Sequence, residues 1–518
     1  MFTRARAIGK LAALAVAALG LVPLAASAGQ LEWQGSDWSL TVSGYARQYL
    51  SMNLQNPPET KANDRYNLSM VRTVLEPYFD GHVSAVHYHL VGRIAREPTT
   101  TYLQRLETPS DLVSGGAGTG GANGGSNLVH DQYDVNDIRE AWLGFHVGQW
   151  TEVRLGKQQI VFGHTDFFHA LDMVEGYDFT WRSFLVPENE DVRKPLNLVN
   201  VMVNTAQGGQ FQLVVIPGDA NRKRDIGNTY DLFGGRWANQ PNKGIDFLQV
   251  MDYNYDHPEG KASDTTGALR WSGIAGDISY SVDYLHVYNP DPVVNSVFAP
   301  WKAAPRGLLG DFIYPVVDTV GGSMSAYSSW ADAVFSTEVA YTLDKPYNVG
   351  TNGATCGSPF PGFCGVKQKN TVNFMVRMDK NVSWTHTLLG AARGSFMSFQ
   401  FFDTWIPNFK KSDDIVDLAG YAAPKHEHNM IATGILGLSY MNARINPQLA
   451  GGYDLTNGGG FLIPSVQFVR GDHWRLKVEA DLFYPHGSNE FGGNSSDTHL
   501  FGYFANNDQL ALRLSYLF

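Results

Sequence analysis

Residues 474–484 read Trp-Arg-Leu-Lys-Val-Glu-Ala-Asp-Leu-Phe-Tyr, and this stretch decides the fold class. Apolar and charged residues alternate strictly from Trp474 to Leu482. Successive side chains of an extended chain point to opposite faces, so this segment has one apolar face and one fully charged face. Such a strand fits between an apolar medium and water. A soluble sandwich can also alternate, although a fully charged face is hard to reconcile with two-sided packing, so strand length, the lengths of the connections and the last strand must discriminate.

The same alternation recurs along most of the chain. It covers residues 40–53 near the N-terminus, and a hairpin at residues 199–215 turns through Ala206-Gln207-Gly208-Gly209. Other tight turns are predicted at residues 148–150, 275–277 and 471–473. Between the hairpins lie much longer irregular stretches, near residues 96–136, 162–196, 217–264, 289–330, 344–370, 403–429 and 485–507.

These features predict an all-β fold, a transmembrane antiparallel β-barrel of 16–18 strands with short periplasmic turns and long extracellular loops. Strands of ~10 residues suit a tilted bilayer crossing. We identify about 17 candidate strands, although single-chain barrels of this kind use an even number. A strand missed within residues 289–330 would give 18, whereas one strand counted in excess would give 16.

The N-terminus predicts export. Three cations, Arg4, Arg6 and Lys10, precede an apolar run from Leu11 to Leu24 and the small residues Ala26-Ser27-Ala28. This is typical of a secretory signal peptide, residues 1–28, and a membrane-anchoring helix would need a longer apolar run. Residues 29–518 then form a single barrel domain, located in the outer membrane of a Gram-negative bacterium among outer-membrane lipids.

Composition excludes other classes. The chain of 518 residues is 43% hydrophobic and 17% charged, so it can bury a large core. Its net charge of −11 argues against a nucleic-acid partner. Beyond the N-terminus no apolar run approaches the ~18 residues of a spanning helix, which excludes a helical transporter.

The last strand and the two cysteines carry local predictions. Apolar residues alternate from Leu510 to a terminal Phe518, which resembles the signal read by the outer-membrane assembly machinery.

Cys356 and Cys364 are close in sequence, and in an exported chain they predict a disulfide that pins a loop.

No cofactor, metal site or catalytic residue is predicted. His87 and His89 share one face of a strand but lack an identifiable third ligand. The glycines between Gly115 and Gly125 lack the ending of a phosphate-binding loop, and no Gly-x-Ser-x-Gly elbow is present. We therefore expect a protein that is not an enzyme.

One region carries a more specific pattern. It begins with Asp137-Ile138-Arg139-Glu140-Ala141-Trp142-Leu143 and continues with Arg154-Leu155-Gly156-Lys157-Gln158-Gln159-Ile160-Val161-Phe162-Gly163. The pattern resembles the "REAYL … RLGRQQIVWGEAD" hairpin of the domain-of-unknown-function 1302 family, proteobacterial porin-like outer-membrane proteins. The resemblance is dense over residues 137–205. It departs at Lys157, where the family has Arg, and at Phe162-Gly163-His164, where it has Trp-Gly-Glu and the acidic residue follows only at Asp166.

This resemblance implies a barrel channel, often associated with hydrophobic compounds. Because a barrel of this size encloses a wide lumen, we expect residues 162–196 to fold inward as a constriction loop. Aromatic and charged residues in this stretch and on the facing wall can provide apolar contacts and orient polar groups, or can simply pack the loop. The candidate pore-lining residues are Arg139, Glu140, Arg154, Lys157, Asp166, Phe167, Phe168, Asp172, Tyr177, Trp181 and Arg182.

The sequence therefore predicts passive outer-membrane transport of a small hydrophobic or amphipathic solute. The negative net charge favours cations or neutral solutes. Two other classes stay open. One is a surface binding or adhesion protein anchored by its barrel, and the other is an outer-membrane lipid hydrolase whose Ser/His pair is formed by the fold.

Overall fold

The structure of the chain is a computed structural model. The structure describes residues 30–56, 62–106, 133–182, 185, 189–206, 208–222, 225–230, 236–237, 251–252, 262–305, 307, 309–351, 353–358, 362–417, 423–486 and 499–518. The predicted signal peptide, residues 1–28, and the glycine-rich residues 115–125 lie outside the described residues.

Eighteen strands form one closed antiparallel barrel, so the higher of the two predicted strand numbers is correct. Each strand pairs with the next one along the chain, and β18 closes the barrel on β1, with Tyr45 opposite Leu517. The strand that the sequence pattern missed within residues 289–330 is β10. The strands are β1 (Trp38–Asn53), β2 (Leu68–Val83), β3 (Val86–Arg96), β4 (Val135–Val147), β5 (Thr151–Gln158), β6 (Leu196–Asn204), β7 (Gln210–Ile216), β8 (Thr266–Ala275), β9 (Ile278–Tyr288), β10 (Val316–Ser328), β11 (Ala333–Val349), β12 (Val366–Asn381), β13 (Phe396–Trp405), β14 (His428–Gly437), β15 (Ile445–Asp454), β16 (Gly460–Arg470), β17 (Trp474–Tyr484) and β18 (Gln509–Leu517).

The two faces of the wall have opposite chemistry. Leu143 on β4 and Leu155 on β5 are opposite each other in the register and are 52% and 41% exposed on the outside. Glu479 and Asp481 on β17 point inward and are 4% and 0% exposed. An apolar outer surface on a closed sheet matches lipid, because closure leaves no unpaired strand edge. The predicted transmembrane barrel is therefore confirmed.

The connections are mostly short at one end of the barrel and mostly long at the other, with residues 382–395 and 455–459 as the exceptions. At the short-turn rim, strands are joined by residues 84–85, 148–150, 205–209, 276–277, 329–332, 382–395, 438–444 and 471–473. At the long-loop rim, the connections are residues 54–67, 97–134, 159–195, 217–265, 289–315, 350–365, 406–427, 455–459 and 485–508. A short strand, Leu31–Gln34, pairs with β1 at the short-turn rim.

Helices and further short strands occur in the connections. Among the described residues no helix is long and apolar enough to cross a membrane. Cys356 and Cys364 are joined by a disulfide in the connection that follows β11, with their Cα atoms 5.7 Å apart. The helices are Thr101–Leu106, Asn189–Val192 and Trp384–Leu389, with 3-10 turns at Ala262–Asp264, Gly353–Thr355, Lys411–Asp413 and Leu500–Phe504. The short strands are Gly176–Tyr177, Arg193–Lys194, Met251–Asp252, Val293–Ser296, Gly310–Ile313, Ile415–Asp417 and Ala423–Pro424.

Candidate functional site

Described residues of the connection between β5 and β6 contact inward-facing side chains of the barrel wall, and we call residues 159–195 the inward segment. Its first part is held by Glu338, which is 0% exposed on β11. The Glu338 carboxylate accepts hydrogen bonds from the backbone N–H of His164 and from that of Leu171, the latter at 3.3 Å. Two peptide donors bound to one buried carboxylate fix the path of this stretch across the lumen.

A second anchor is Asp166, which contacts two neighbouring strands. Its carboxylate accepts a hydrogen bond from Gln400 on β13 and lies 3.3 Å from Nη1 of Arg377 on β12. The same Arg377 atom donates to the carbonyl of His164 at 2.8 Å. On the other side, the guanidinium of Arg270 on β8 donates to the carbonyl of Phe162.

The middle of the inward segment reaches a different part of the wall. Arg182 donates from Nη2 to Glu479 and, at 3.1 Å, to Oδ2 of Asp481, both on β17. All three side chains are buried. Beyond the segment, Lys477 Nζ lies 2.8 Å from Glu479 Oε2, so two cations and two carboxylates form one compact network.

The last part of the inward segment meets three arginines. Nη1 of Arg47 lies 2.5 Å from Oδ2 of Asp191, and Nη2 of Arg93 lies 3.7 Å from Oδ1. The carbonyl oxygen of Asp191 accepts from Arg93 at 2.6 Å and from Arg139 at 3.2 Å. Tyr45 donates its O–H to Oδ1 at 3.1 Å. We call Arg47, Arg93 and Arg139 the arginine cluster.

Within the inward segment, one arginine joins two acidic residues. Arg193 binds Asp172 and, at 3.0 Å, Glu175. Burial opposes ionisation of Asp172, but the charge of Arg193 outweighs it and holds the Asp172 pKa below its ordinary value. Burial raises the pKa of Glu175 to about 8, so this carboxyl keeps its proton at neutral pH. Oε2 of Glu175 is buried and has no hydrogen-bond partner among the described residues.

Aromatic rings sit directly on this buried network. The Tyr177 hydroxyl donates to Asp172 at 2.8 Å, and the Tyr177 ring stacks on His169 at a centroid distance of 4.1 Å. Burial lowers the pKa of His169 to about 4, so this imidazole is neutral at physiological pH. The Phe179 ring also stacks on the Tyr177 ring, at a centroid distance of 5.7 Å.

These rings line a cavity of about 310 Å³ between the inward segment and the wall near the long-loop rim. Phe168 contributes one wall, with its ring 5.6 Å from that of Phe402 on β13. Polar side chains close the rest, so the cavity offers apolar contact and a few hydrogen-bonding groups, as small-molecule sites do. The polar residues include Asn228, Tyr230, Asp291, Asn373, Thr404 and Asn429.

A second inward contact comes from the connection between β7 and β8. Arg236 is 0% exposed, and its guanidinium binds Glu97 with one contact of 2.9 Å. Its Nε donates to the carbonyl of Trp181 at 3.1 Å. Trp237 packs in a cluster with Phe167 and Phe504. Residues 236–237 therefore brace the inward segment at Trp181 and Phe167.

Most of the candidate residues predicted from the sequence converge in the lumen, but three do not join this cluster. Arg154 lies near the short-turn rim, 2.7 Å from Glu152 and 4.7 Å above the Trp142 ring. Glu140 receives a hydrogen bond of 2.9 Å from Gln159. Lys157 is opposite Ala141, two positions from the exposed Leu143–Leu155 pair, and pairs with Asp137 at 2.9 Å. The residues that converge are Arg139, Asp166, Phe167, Phe168, Asp172, Tyr177, Trp181 and Arg182.

Sequence reasoning missed the wall residues that hold the segment. They are single polar residues at inward positions of strands, so alternation marks them as facing the lumen. Nothing in the alternation, however, indicates which of them the inward segment reaches. The missed anchors are Arg47, Arg93, Arg270, Glu338, Arg377, Gln400, Glu479 and Asp481.

The chain is similar to several solved outer-membrane structures at very low sequence identity. OccAB1 of Acinetobacter baumannii is 9% identical with a TM-score of 0.47, and the match covers 92% of this chain and 95% of that one. OpdK of Pseudomonas aeruginosa, solved with vanillate, is 9% identical with a TM-score of 0.43, covering 92% and 98%. The outer-membrane channel DcaP of Acinetobacter baumannii is 10% identical with a TM-score of 0.40, covering 94% and 99%.

No curated protein sequence matches the chain. The family described as "Protein of unknown function (DUF1302)" matches residues 8–518, which is almost the whole sequence. The hairpin of β4 and β5 that carries the family-like residues is also the one that leads into the inward segment. The chain therefore belongs to the DUF1302 family.

Proposed function

We propose that this protein is a passive channel of the outer membrane that admits a small hydrophobic or amphipathic solute. The observation that carries the proposal is the cavity of about 310 Å³ held inside a closed barrel by the inward segment. Its aromatic walls provide apolar contact, and its polar groups orient a solute without committing it to tight binding.

The anchoring of the inward segment supports a selective channel over an open pore. A barrel of eighteen strands is too wide for its wall side chains alone to fill. The segment is bonded to β8, β11, β12 and β13 on one side and to β17 on another. We infer that it narrows the lumen to a passage, with Phe168, Tyr177 and Arg182 among the residues that shape it.

The location follows from the same features. In our proposal the predicted signal peptide directs export and the barrel lies in the outer membrane of a Gram-negative bacterium, and the apolar exterior of the closed barrel supports this location. The short-turn rim would face the periplasm and the long-loop rim the outside, as is usual for outer-membrane barrels. The terminal strand β18 would serve as the signal for the assembly machinery. No covalent step is required.

Purified full-length protein in planar bilayers tests the proposal. We expect stepwise single-channel conductance, reduced by a small aromatic solute such as benzyl alcohol. Electrically silent protein would contradict a channel and favour the surface-binding alternative. Turnover of lipid that a single Ser substitution abolishes would favour the hydrolase alternative. Uptake by a deletion strain across hydrophobic carbon sources would then define the solute.

A further inference from the structure

We infer that the solute carries a carboxylate, and that Asp191 of the inward segment occupies the place this carboxylate takes during passage. The inference rests on the proposed channel function and names its substrate class. It makes the arginine cluster a binding site for an organic acid, occupied in the resting protein by the chain's own carboxylate.

The first argument is geometric. Arg47 on β1 donates to Oδ2 of the Asp191 carboxylate at 2.5 Å, and Arg93 on β3 forms an ion pair with Oδ1 at 3.7 Å. The Tyr45 hydroxyl supplies a second hydrogen-bond donor to this carboxylate, at 3.1 Å from Oδ1. Guanidinium groups and a phenol that converge on a planar anion are the usual partners of a carboxylate. Asp191 itself thus demonstrates which group the site accommodates.

The second argument is that the cluster has donor capacity to spare. Nη2 of Arg139 and Nε of Arg47 are buried and have no hydrogen-bond partner among the described residues. Arg139 is 5% exposed, so water does not readily replace the missing partner. A second oxygen-bearing group near Asp191 would satisfy donors that the resting arrangement leaves unpaired.

The third argument is charge. The three guanidinium groups of the arginine cluster face two carboxylates, Asp191 and the Arg93-bonded Glu76. This part of the wall therefore carries a positive excess although the whole chain has a net charge of −11. The local field opposes the preference for cations that net charge suggested. Replacing the Asp191 carboxylate with that of a solute leaves the number of buried charges unchanged.

The fourth argument is continuity with the cavity. Tyr177 lines the cavity and also packs in one cluster with Tyr45 and Val192. Tyr45 is bonded to Asp191, and Val192 is the next residue in the chain. Tyr177 is therefore the residue that the cavity shares with the cluster of side chains around Asp191. An amphipathic acid would match both regions, apolar rings on one side of Tyr177 and guanidinium groups on the other.

Asp191→Asn is the first test, because the amide keeps the shape and removes the charge. We expect the variant to raise the chloride-to-potassium permeability ratio severalfold, roughly two- to fivefold, since one anion leaves the wall. The benzoate concentration that halves the current should fall about tenfold, because benzoate no longer competes with the Asp191 carboxylate for the arginine cluster. Benzyl alcohol, similar in size and neutral, should block both proteins equally.

Two further variants and one probe complete the design. Arg47→Gln should weaken benzoate block, whereas Arg154→Gln, on the lumen wall near the short-turn rim, should not. Unchanged ion selectivity and benzoate block in Asp191→Asn would overturn the inference while leaving a conducting channel intact. Equal block by phenyl phosphate and benzoate would also overturn it, because the site would then select any anion. Wild-type protein without conductance would instead contradict the proposed function.

Discussion

Arg182 Nη2 lies 3.1 Å from Asp481 Oδ2, and this contact joins the inward segment to a strand nearly three hundred residues later in the chain. The same guanidinium also binds Glu479. Both carboxylates are buried, and Arg182 compensates their charge together with Lys477, which lies beside Glu479. The position of the segment therefore depends on this arginine as well as on its aromatic packing.

Arg182→Ala should loosen the inward segment. Removing one partner of a buried ion pair costs about 3–5 kcal/mol, because the remaining charges are left uncompensated. We expect higher single-channel conductance and faster proteolysis within residues 162–196. Arg470→Ala, an exposed arginine at the end of β16, is the matched control and should leave both unchanged. Wild-type conductance in Arg182→Ala would show that the segment does not limit the passage.

Glu175 should make the stability of the inward segment depend on pH. Its pKa is raised from 4.5 to about 8, so the folded form holds a proton between these values and the unfolded form does not. Stability must therefore fall as pH rises through this window, by on the order of a few kcal/mol. Glu175→Gln should remove this loss. The measurement is the unfolding temperature of both proteins from pH 4 to 9.

Glu190→Gln provides the control for that series, because Glu190 is exposed on the same segment. It should retain the wild-type pH profile. Parallel profiles for wild type and Glu175→Gln would contradict a protonated Glu175.

Phe402→Ala should weaken binding of an aromatic solute in the cavity. The ring lies 5.6 Å from Phe168, and aromatic pairs contribute about 0.5–1.5 kcal/mol beyond burial. We expect the benzyl alcohol concentration that halves the current to rise about three- to tenfold. Phe399→Ala is the matched control, since Phe399 is on the same strand but 47% exposed. An equal effect of both substitutions would place the solute elsewhere.

Gly176→Ala should separate the inward segment from residues 225–230. A Cβ at this position would lie 1.9 Å from the backbone carbonyl oxygen of Gly227, so the two segments must move apart. Overpacking of this kind costs about 1–3 kcal/mol. Gly394→Ala, which has open space around its Cβ position, should be neutral. Equal unfolding temperatures for the two variants would contradict the close approach.

The barrel could be predicted because its signal is local. The alternation at residues 474–484 predicts which face of the sheet each side chain occupies. The sheet must close because lipid offers no hydrogen-bond partner to an unpaired strand edge. β10 was missed because Gly321 and Gly322 interrupt the alternation of apolar and polar residues in Val316–Ser328. Only the requirement for an even strand number indicated that a strand lay there.

The site could be predicted only in part, because its contacts join residues far apart in the chain. The pattern after Gly163 indicated a mixed aromatic and charged segment, and Arg182 and Asp172 do form buried ion pairs. It could not show that Asp191 meets Arg47, because neither residue has a distinctive neighbourhood in the sequence. Arg236 was missed for the same reason, since a lone arginine in a long connection carries no periodic signal.

The distance along the chain between the inward segment and its anchors has a consequence for biogenesis. Glu338 and Asp481 lie on β11 and β17, far along the chain from residues 162–182, and contacts of such large sequence separation form late. A chain without β17 and β18 offers the segment no partner at Asp481, and its barrel cannot close, because β18 is the strand that pairs with β1. Closing the wall and securing the interior therefore depend on the same last part of the chain, and we expect a truncation there to abolish both.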